Sequence, residues 1–443
     1  MSKRQLIIII VFLGLFSSLT LTAANAKSSK LLNGGFWSTP VEAAQIRFTD
    51  LERGPDGIIH LLGFDDCCPG QILYTQRDLG GNWISPETVD NDVDSFHTWQ
   101  GDLAVGSDGT AHAIWTDQEG GSNHKVKYAQ RPSGGSWTSP ITISDPAHDV
   151  NDLALLINSS NQLYASWISY GTPGFYTRHQ VGGIWGAIQR VDMNQPPLNP
   201  IMLMDSQQNV HYFWLSGSQS DEYKVYYRRQ TADNNWGSVT PISNSHTQNT
   251  DTPSPLFATL EGQNIHATWA FERNFIHEMY YAEYSGGSWS SPQQLNSGTD
   301  SQHARFLGAA SGNVYIISYS VDDQSFSYYF RPSGGSWTDE PINFMGTMPR
   351  ILALVSTDNT FHLVWDTSSD SIQYRFRQNL APWSAIEPVG SHIGFGGVNN
   401  TIKQKGQYID MGWENNGLDS SYAYAQIQLT NLPPQSYIPA VLK

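Results

Sequence analysis

Cysteine is almost missing from this chain: two residues in 443, and they are neighbours, Cys67 and Cys68. One adjacent pair builds neither a disulfide-stapled scaffold nor a multi-cysteine metal site. Charge is sparse too, at 14% of residues, with 24 Lys and Arg against 40 Asp and Glu. A formal net charge of −16 leaves no basic footprint, which argues against nucleic acid and anionic membrane surfaces as partners. No window sustains a 3.6-residue apolar period, so a helical solenoid is excluded. Beyond the N-terminus there is no second stretch of about 18 apolar residues, so no membrane span is expected. Glycine and aromatic residues are abundant instead: 39 Gly, 15 Trp, 21 Tyr and 18 Phe. That is the composition of a folded, β-dominated protein.

The first 26 residues read as an export signal. Lys3 and Arg4 give a basic start, Leu6 to Leu15 is an apolar run, and Ala24-Asn25-Ala26 has the pattern of a cleavage site. No cysteine follows the run, so lipoprotein processing is not expected. The expected organisation is a signal peptide over 1–26, a folded unit over 31–430 and a tail over 431–443. The tail, from Leu432-Pro433-Pro434 to Ala440, reads as an extension beyond the domain. An exported location follows.

Internal repetition decides the fold. A tryptophan follows a turn, glycine-rich in most copies, at Trp37, Trp83, Trp137, Trp185, Trp236, Trp289, Trp337 and Trp383, at spacings of 46 to 54 residues. A second series lies between them: Asp56-Gly57-Ile58-Ile59-His60, Asp108-Gly109-Thr110-Ala111-His112-Ala113-Ile114-Trp115, then Tyr164 to Trp167, His211 to Trp214, His266 to Trp269, Tyr315 to Tyr319, His362 to Trp365 and Tyr408 to Trp413. Tyr74, Tyr128, Tyr176, Tyr227, Tyr281, Tyr329 and Tyr374 each precede the next turn tryptophan by eight or nine residues. Each unit of about 50 residues therefore reads as four short antiparallel strands, the blade of a β-propeller. The chain begins with a lone fourth strand (37–43) and ends with three strands (about 399–429) that lack their fourth. The N-terminal strand is expected to complete the last blade, closing an all-β, eight-bladed ring without open edges.

Units of the form Asp-Gly-x-x-His-x-x-Trp, then Tyr, then Gly-Gly-x-Trp resemble the bacterial neuraminidase repeat, or Asp-box, propellers of the sialidase-like superfamily. Asp78, Gly80 and Trp83 keep the Asp-box spacing, whereas Pro132 holds the Asp position before Trp137. The resemblance covers nearly all of residues 31–430 and implies the propeller fold. It also implies an exo-acting glycoside hydrolase as one activity. Such enzymes use an Arg triad for the substrate carboxylate, a Tyr–Glu nucleophile pair and an Asp acid/base. Here the Phe/Tyr-Arg-Ile-Pro motif near the mature N-terminus is missing and no Tyr–Glu pair stands out.

Repeat bookkeeping separates scaffold from candidate site. Fourteen of the 15 Trp belong to the two series and are expected to pack between blades. Trp99 alone falls outside, beside His97, in a stretch from Asp90 to Asp102 that suits stacking on the apolar face of a sugar. His60, His112, His211, His266 and His362 share one repeat position with tyrosines and read as packing residues. His148 and His303 fall in connections on the proposed ligand face. Asp50, Asp102 and Asp152 read as one wall of the central mouth, with Arg305 and Arg350 opposite. Carboxylates on one wall and two guanidiniums on the other suit hydroxyls and a carboxylate, respectively. Asp90, Asp92 and Asp94 alternate as in a calcium loop, but Ser95 stands where an EF-hand needs Gly and no Glu holds the twelfth position. No cofactor is expected, and calcium stays an open alternative. Cys67 and Cys68 are expected to bridge each other after export, with a free pair or an intermolecular bridge as alternatives.

Three functions compete on this reading. The first is an exported, monomeric propeller that binds a glycan or polysaccharide without catalysis; the second is the exo-acting hydrolase; the third is a scaffold for protein partners.

Overall fold

The computed structural model describes residues 37–44, 46–65, 70–93, 100–118, 123–192, 197–217, 223–244, 255–273, 276–296, 301–320, 322–342, 350–367, 371–391, 401–415 and 421–429. Cys67, Cys68, Asp94, His97 and Trp99 lie outside these residues, so the disulfide and the Trp99 platform have no structural description.

Alternation of apolar and polar residues between turns gives strands, and the turns give their ends. In the second unit, Gly101–Val105, Ala111–Asp117, Lys125–Arg131 and Ile141–Thr142 pair in sequence order. The first turn closes on Gly109, whose φ of 78° is the left-handed conformation that glycine adopts without strain. Eight such sheets form. Their first strands begin at Arg47, Gly101, Val150, Pro197, Phe257, Gln302, Ile351 and Thr401, and define blades 1 to 8. The first strands of successive blades touch all the way round, blade 8 against blade 1 included, so the array is a closed eight-bladed β-propeller.

Closure uses the N-terminal strand as expected. Val41–Ala44 pairs antiparallel with Ser421–Gln428, with Val41 opposite Tyr424, and Trp37 bridges to Ile427. The strand is shorter than the 37–43 read from the sequence because Trp37 is joined to it only by that isolated bridge.

The core is not central. Buried apolar residues fall into eight clusters, one at each interface between neighbouring blades. Seven of them have the same seed. The turn tryptophan of one blade packs edge-on against a third-strand tyrosine of the blade before it, as in Trp137 on Tyr74 (5.0 Å, 79°) and Trp37 on Tyr374 (5.5 Å, 86°). In five blades that tyrosine meets a buried second-strand histidine, as His112 Nδ1 and Tyr128 Oη do at 2.9 Å. Burial lowers the pKa of His60, His112 and His362 to about 4, which keeps these imidazoles neutral and hydrogen-bonded inside the wall.

Three positions differ from the sequence expectation. In blade 6 the packing tyrosine is Tyr328, opposite Ile317, not Tyr329. In blade 3 the register puts Thr177 there rather than Tyr176, and the ring is supplied by Tyr212 of blade 4, which carries Trp236 at 5.3 Å. In blade 8 the histidine position belongs to Asp410, not Tyr408, because Met411 faces Ile402 as Ala113 faces Leu103.

Candidate functional site

The first strands surround a cavity of about 1100 Å³. Among the described residues, blades 1 to 5 and blade 8 supply most of its wall, while blades 6 and 7 contribute only Ala310, Ser311 and Thr357. Two sides differ in chemistry. Blades 8, 1 and 2 present Lys403, Lys405, Asp50, Glu52 and Asp102; blades 3 to 5 present an apolar arc that includes Leu153, Ile201, Met204 and Phe257.

The charged side is built from residues with paired duties. Asp50 and Asp102 are equivalent, each one residue before the leucine that faces the buried second-strand position. Each reaches the next blade: Asp50 Oδ2 accepts from the Leu103 N–H at 3.2 Å, and Asp102 Oδ2 from the Leu155 N–H at 2.7 Å. Lys403 Nζ donates to Asp50 Oδ1 at 2.7 Å and to Glu52 Oε2 at 3.0 Å. Burial, reinforced by the Asp102 charge and opposed by Lys403, pushes the Asp50 pKa up to about 7. Burial works to lower the Lys403 pKa, but Asp50, Glu52 and Asp102 overcome it and hold that ammonium well above its usual range.

Bulges shape the opening of the ring. The register slips before Asp50 in blade 1, and again in the first strands of blades 3, 4 and 6. Asp152 and Asn199 sit in two of these bulges with φ of 51° and 49°. Asp and Asn are the side chains that tolerate this left-handed geometry best after glycine. The slip shifts Asp152 out of the Asp50/Asp102 register, since Ala154 occupies the equivalent position. Asp152 still lines the cavity.

The other expected site residues disperse. His148 is buried and accepts from the Trp167 indole N–H at 3.0 Å, with its ring 4.1 Å from that of Tyr176. His303, Arg305, His277 and Tyr319 cluster at blades 5 and 6: the His277 and His303 rings are 5.5 Å apart, and the Arg305 guanidinium lies 5.2 Å over Tyr319. Burial lowers the His303 pKa to about 4, helped by the Arg305 charge. Arg305 is itself exposed and does not line the cavity. Arg350 is exposed as well, and its backbone N–H donates to Asp366 Oδ1 at 2.6 Å. Asp90 and Asp92 belong to the strand Glu87–Val93, where a loop was expected. No group of three or more His, Cys, Asp or Glu suited to a metal ion occurs among the described residues.

The sequence reading missed Glu52, Arg53, Lys403, Lys405 and Asp410. The signal was present: Thr401-Ile402-Lys403-Gln404-Lys405 carries two lysines, a residue that the first strands of the other seven blades lack.

No family model matches this chain, and no curated protein matches it. Solved structures do. The lectin BP39L from Burkholderia pseudomallei is 11% identical, with a TM-score of 0.50 over 79% of this chain and 99% of the lectin. The polysaccharide lyase Uly1 is 10% identical, with a TM-score of 0.51 over 92% of this chain and 95% of the lyase. At these identities the likeness is one of fold.

Proposed function

We propose that this protein is an exported, monomeric propeller that binds a glycan or polysaccharide at the central cavity without transforming it. The observation that carries the reading is the cavity's two-sided wall. A pyranose has an apolar C–H face and a rim of hydroxyls; the arc from Leu153 to Phe257 suits the first, and Asp102, Asp152 and Lys403 suit the second. The lectin and the lyase noted above share the fold and are named for carbohydrate binding and polysaccharide cleavage, which supports this class of ligand. The Asp-box spacing of Asp78, Gly80 and Trp83 is consistent with a sialidase-like ancestry; there Asp78 Oδ1 accepts from the Asn82 N–H at 2.7 Å and holds the turn.

One observation favours a catalytic reading: Asp50, with a pKa of about 7, has the protonation behaviour of an acid/base group. Both its oxygens are engaged inside the wall, by Lys403 and by the Leu103 N–H, which favours a structural role. The test is a glycan array run beside a fluorogenic sialoside assay. Array signal without turnover is expected; turnover that Asp50→Asn abolishes would replace binding with hydrolysis. Trp99→Ala should weaken glycan binding by about 1–3 kcal/mol through lost stacking area, with an unchanged melt because Trp99 lies outside the repeated core series.

A further inference from the structure

The outer interface between blades 4 and 5 lacks an arginine that half of the blades carry. The third-strand residue opposite the residue just before the His position is Arg77, Arg131, Arg331 or Arg377 in four blades, Gln180 or Gln230 in two, and Ile427 in blade 8. Each arginine lies over the packing tyrosine of the preceding blade, as Arg131 does over Tyr74 (5.5 Å) and Arg331 over Tyr281 (4.9 Å). Three of them end on a carboxylate of that blade: Glu87, Glu283 and Glu340. Arginine and glutamate together close the outer groove.

Blade 5 carries Tyr284 at the arginine position, and blade 4 carries Thr240 where blades 1 and 6 carry Glu87 and Glu340. With both gone, a cleft of about 640 Å³ opens along the third and fourth strands. Three rings form one side, with Tyr227 and Tyr284 at 5.2 and 5.6 Å from Trp289 and at 5.7 Å from each other. Arg229 lines the cleft and has no carboxylate partner among the described residues. The lining hydroxyls offer both polarities. Ser290 Oγ accepts from the Glu283 N–H and keeps its proton to donate, while Thr240 Oγ1 donates to the Ser238 carbonyl and keeps lone pairs to accept.

We propose that this cleft is a second ligand site, separate from the channel, that takes one pyranose unit bearing vicinal hydroxyls. The rings cover the C–H face, the guanidinium fork spans two neighbouring hydroxyl oxygens, and Ser290 and Thr240 complete the rim. The volume lies within the range that holds small ligands, roughly 300–1,000 Å³.

The repeat supplies its own test. The double substitution Tyr284→Arg with Thr240→Glu installs the pair that closes other interfaces, so the protein should fold and the cleft should fill. Parent and variant are titrated by tryptophan fluorescence with free glucose, galactose, mannose, N-acetylglucosamine and glucuronate. A channel variant, Ala154→Arg, runs alongside. At least one sugar should give a saturable change in the parent, weakened tenfold or more in the double variant and kept in Ala154→Arg. If the double variant does not fold, Arg229→Ala carries the same expectation. The proposal falls if no sugar saturates the parent or if the double variant binds like the parent. It also falls if binding is lost only in Ala154→Arg, and the channel reading then stands alone.

Discussion

Asp410 is the residue at which this ring is closed. Five blades place a histidine at its position, against a tyrosine; blade 8 places a carboxylate, and blade 1 answers with Arg53. The guanidinium grips it twice, Nε to Oδ2 at 2.7 Å and Nη2 to Oδ1 at 2.5 Å, and Tyr424 Oη donates to it at 2.5 Å. Burial would lower the Arg53 pKa, but Asp410 more than offsets it and the group stays charged. Asp410→Ala leaves a buried guanidinium without its partner and should cost about 3–5 kcal/mol in urea unfolding. Arg53→Met combined with Asp410→His rebuilds the pattern of the other blades and should recover most of that loss. A single substitution that costs under about 1 kcal/mol would place the strength of closure elsewhere.

At the scale of the strand and the blade, the aromatic series do the packing and leave the site to departures from them. Trp115 is fully buried between blades 1 and 2. Trp115→Ala should open a cavity and lower stability by about 3–5 kcal/mol, read by thermal or denaturant melts, without a direct effect on any ligand. The blade count, the strand order and the role of the N-terminal strand were legible because they rest on period and turn chemistry, which are local. The mouth was legible only in part. Asp50 and Asp102 share a register that strand counting finds, but Asp152 is shifted by a bulge, and a bulge leaves little trace in the pattern of apolar residues. His148 looked like a loop histidine, and only the fold brings Trp167 within hydrogen-bond distance of it. Lys403 was overlooked because its partners, Asp50 and Glu52, stand some 350 residues away in sequence.

At the scale of the whole ring, three buried histidines of the wall and the Asp50 carboxyl of the channel should respond to pH in opposite senses. His60, His112 and His362 have folded-state pKa values of about 4, below the ordinary 6.5. Their contribution to stability is therefore full above pH 6.5 and is lost as pH falls towards 4, on the order of 3 kcal/mol for one such histidine. Asp50 runs the other way: its folded pKa of about 7 exceeds the ordinary 3.8, so its contribution is present at low pH and is lost as pH rises through 7. Melting temperature should drop steeply between pH 6.5 and 4, and Asp50→Asn should remove only the opposing component between pH 4 and 7. A melt indifferent to pH over 4–6.5 would contradict neutral buried histidines.

The central claim, a carbohydrate ligand held at the two-sided channel, is tested most directly by calorimetric titration of the strongest array ligand into the parent and into Ala154→Arg. Ala154 lines the cavity at the position where blades 1 and 2 already carry a charged side chain, so the substitution should fill the channel and leave the melt unchanged. The account predicts saturable binding by the parent and at least tenfold weaker binding by the variant. Equal affinity in a folded Ala154→Arg, or no carbohydrate ligand for the parent at all, would contradict it.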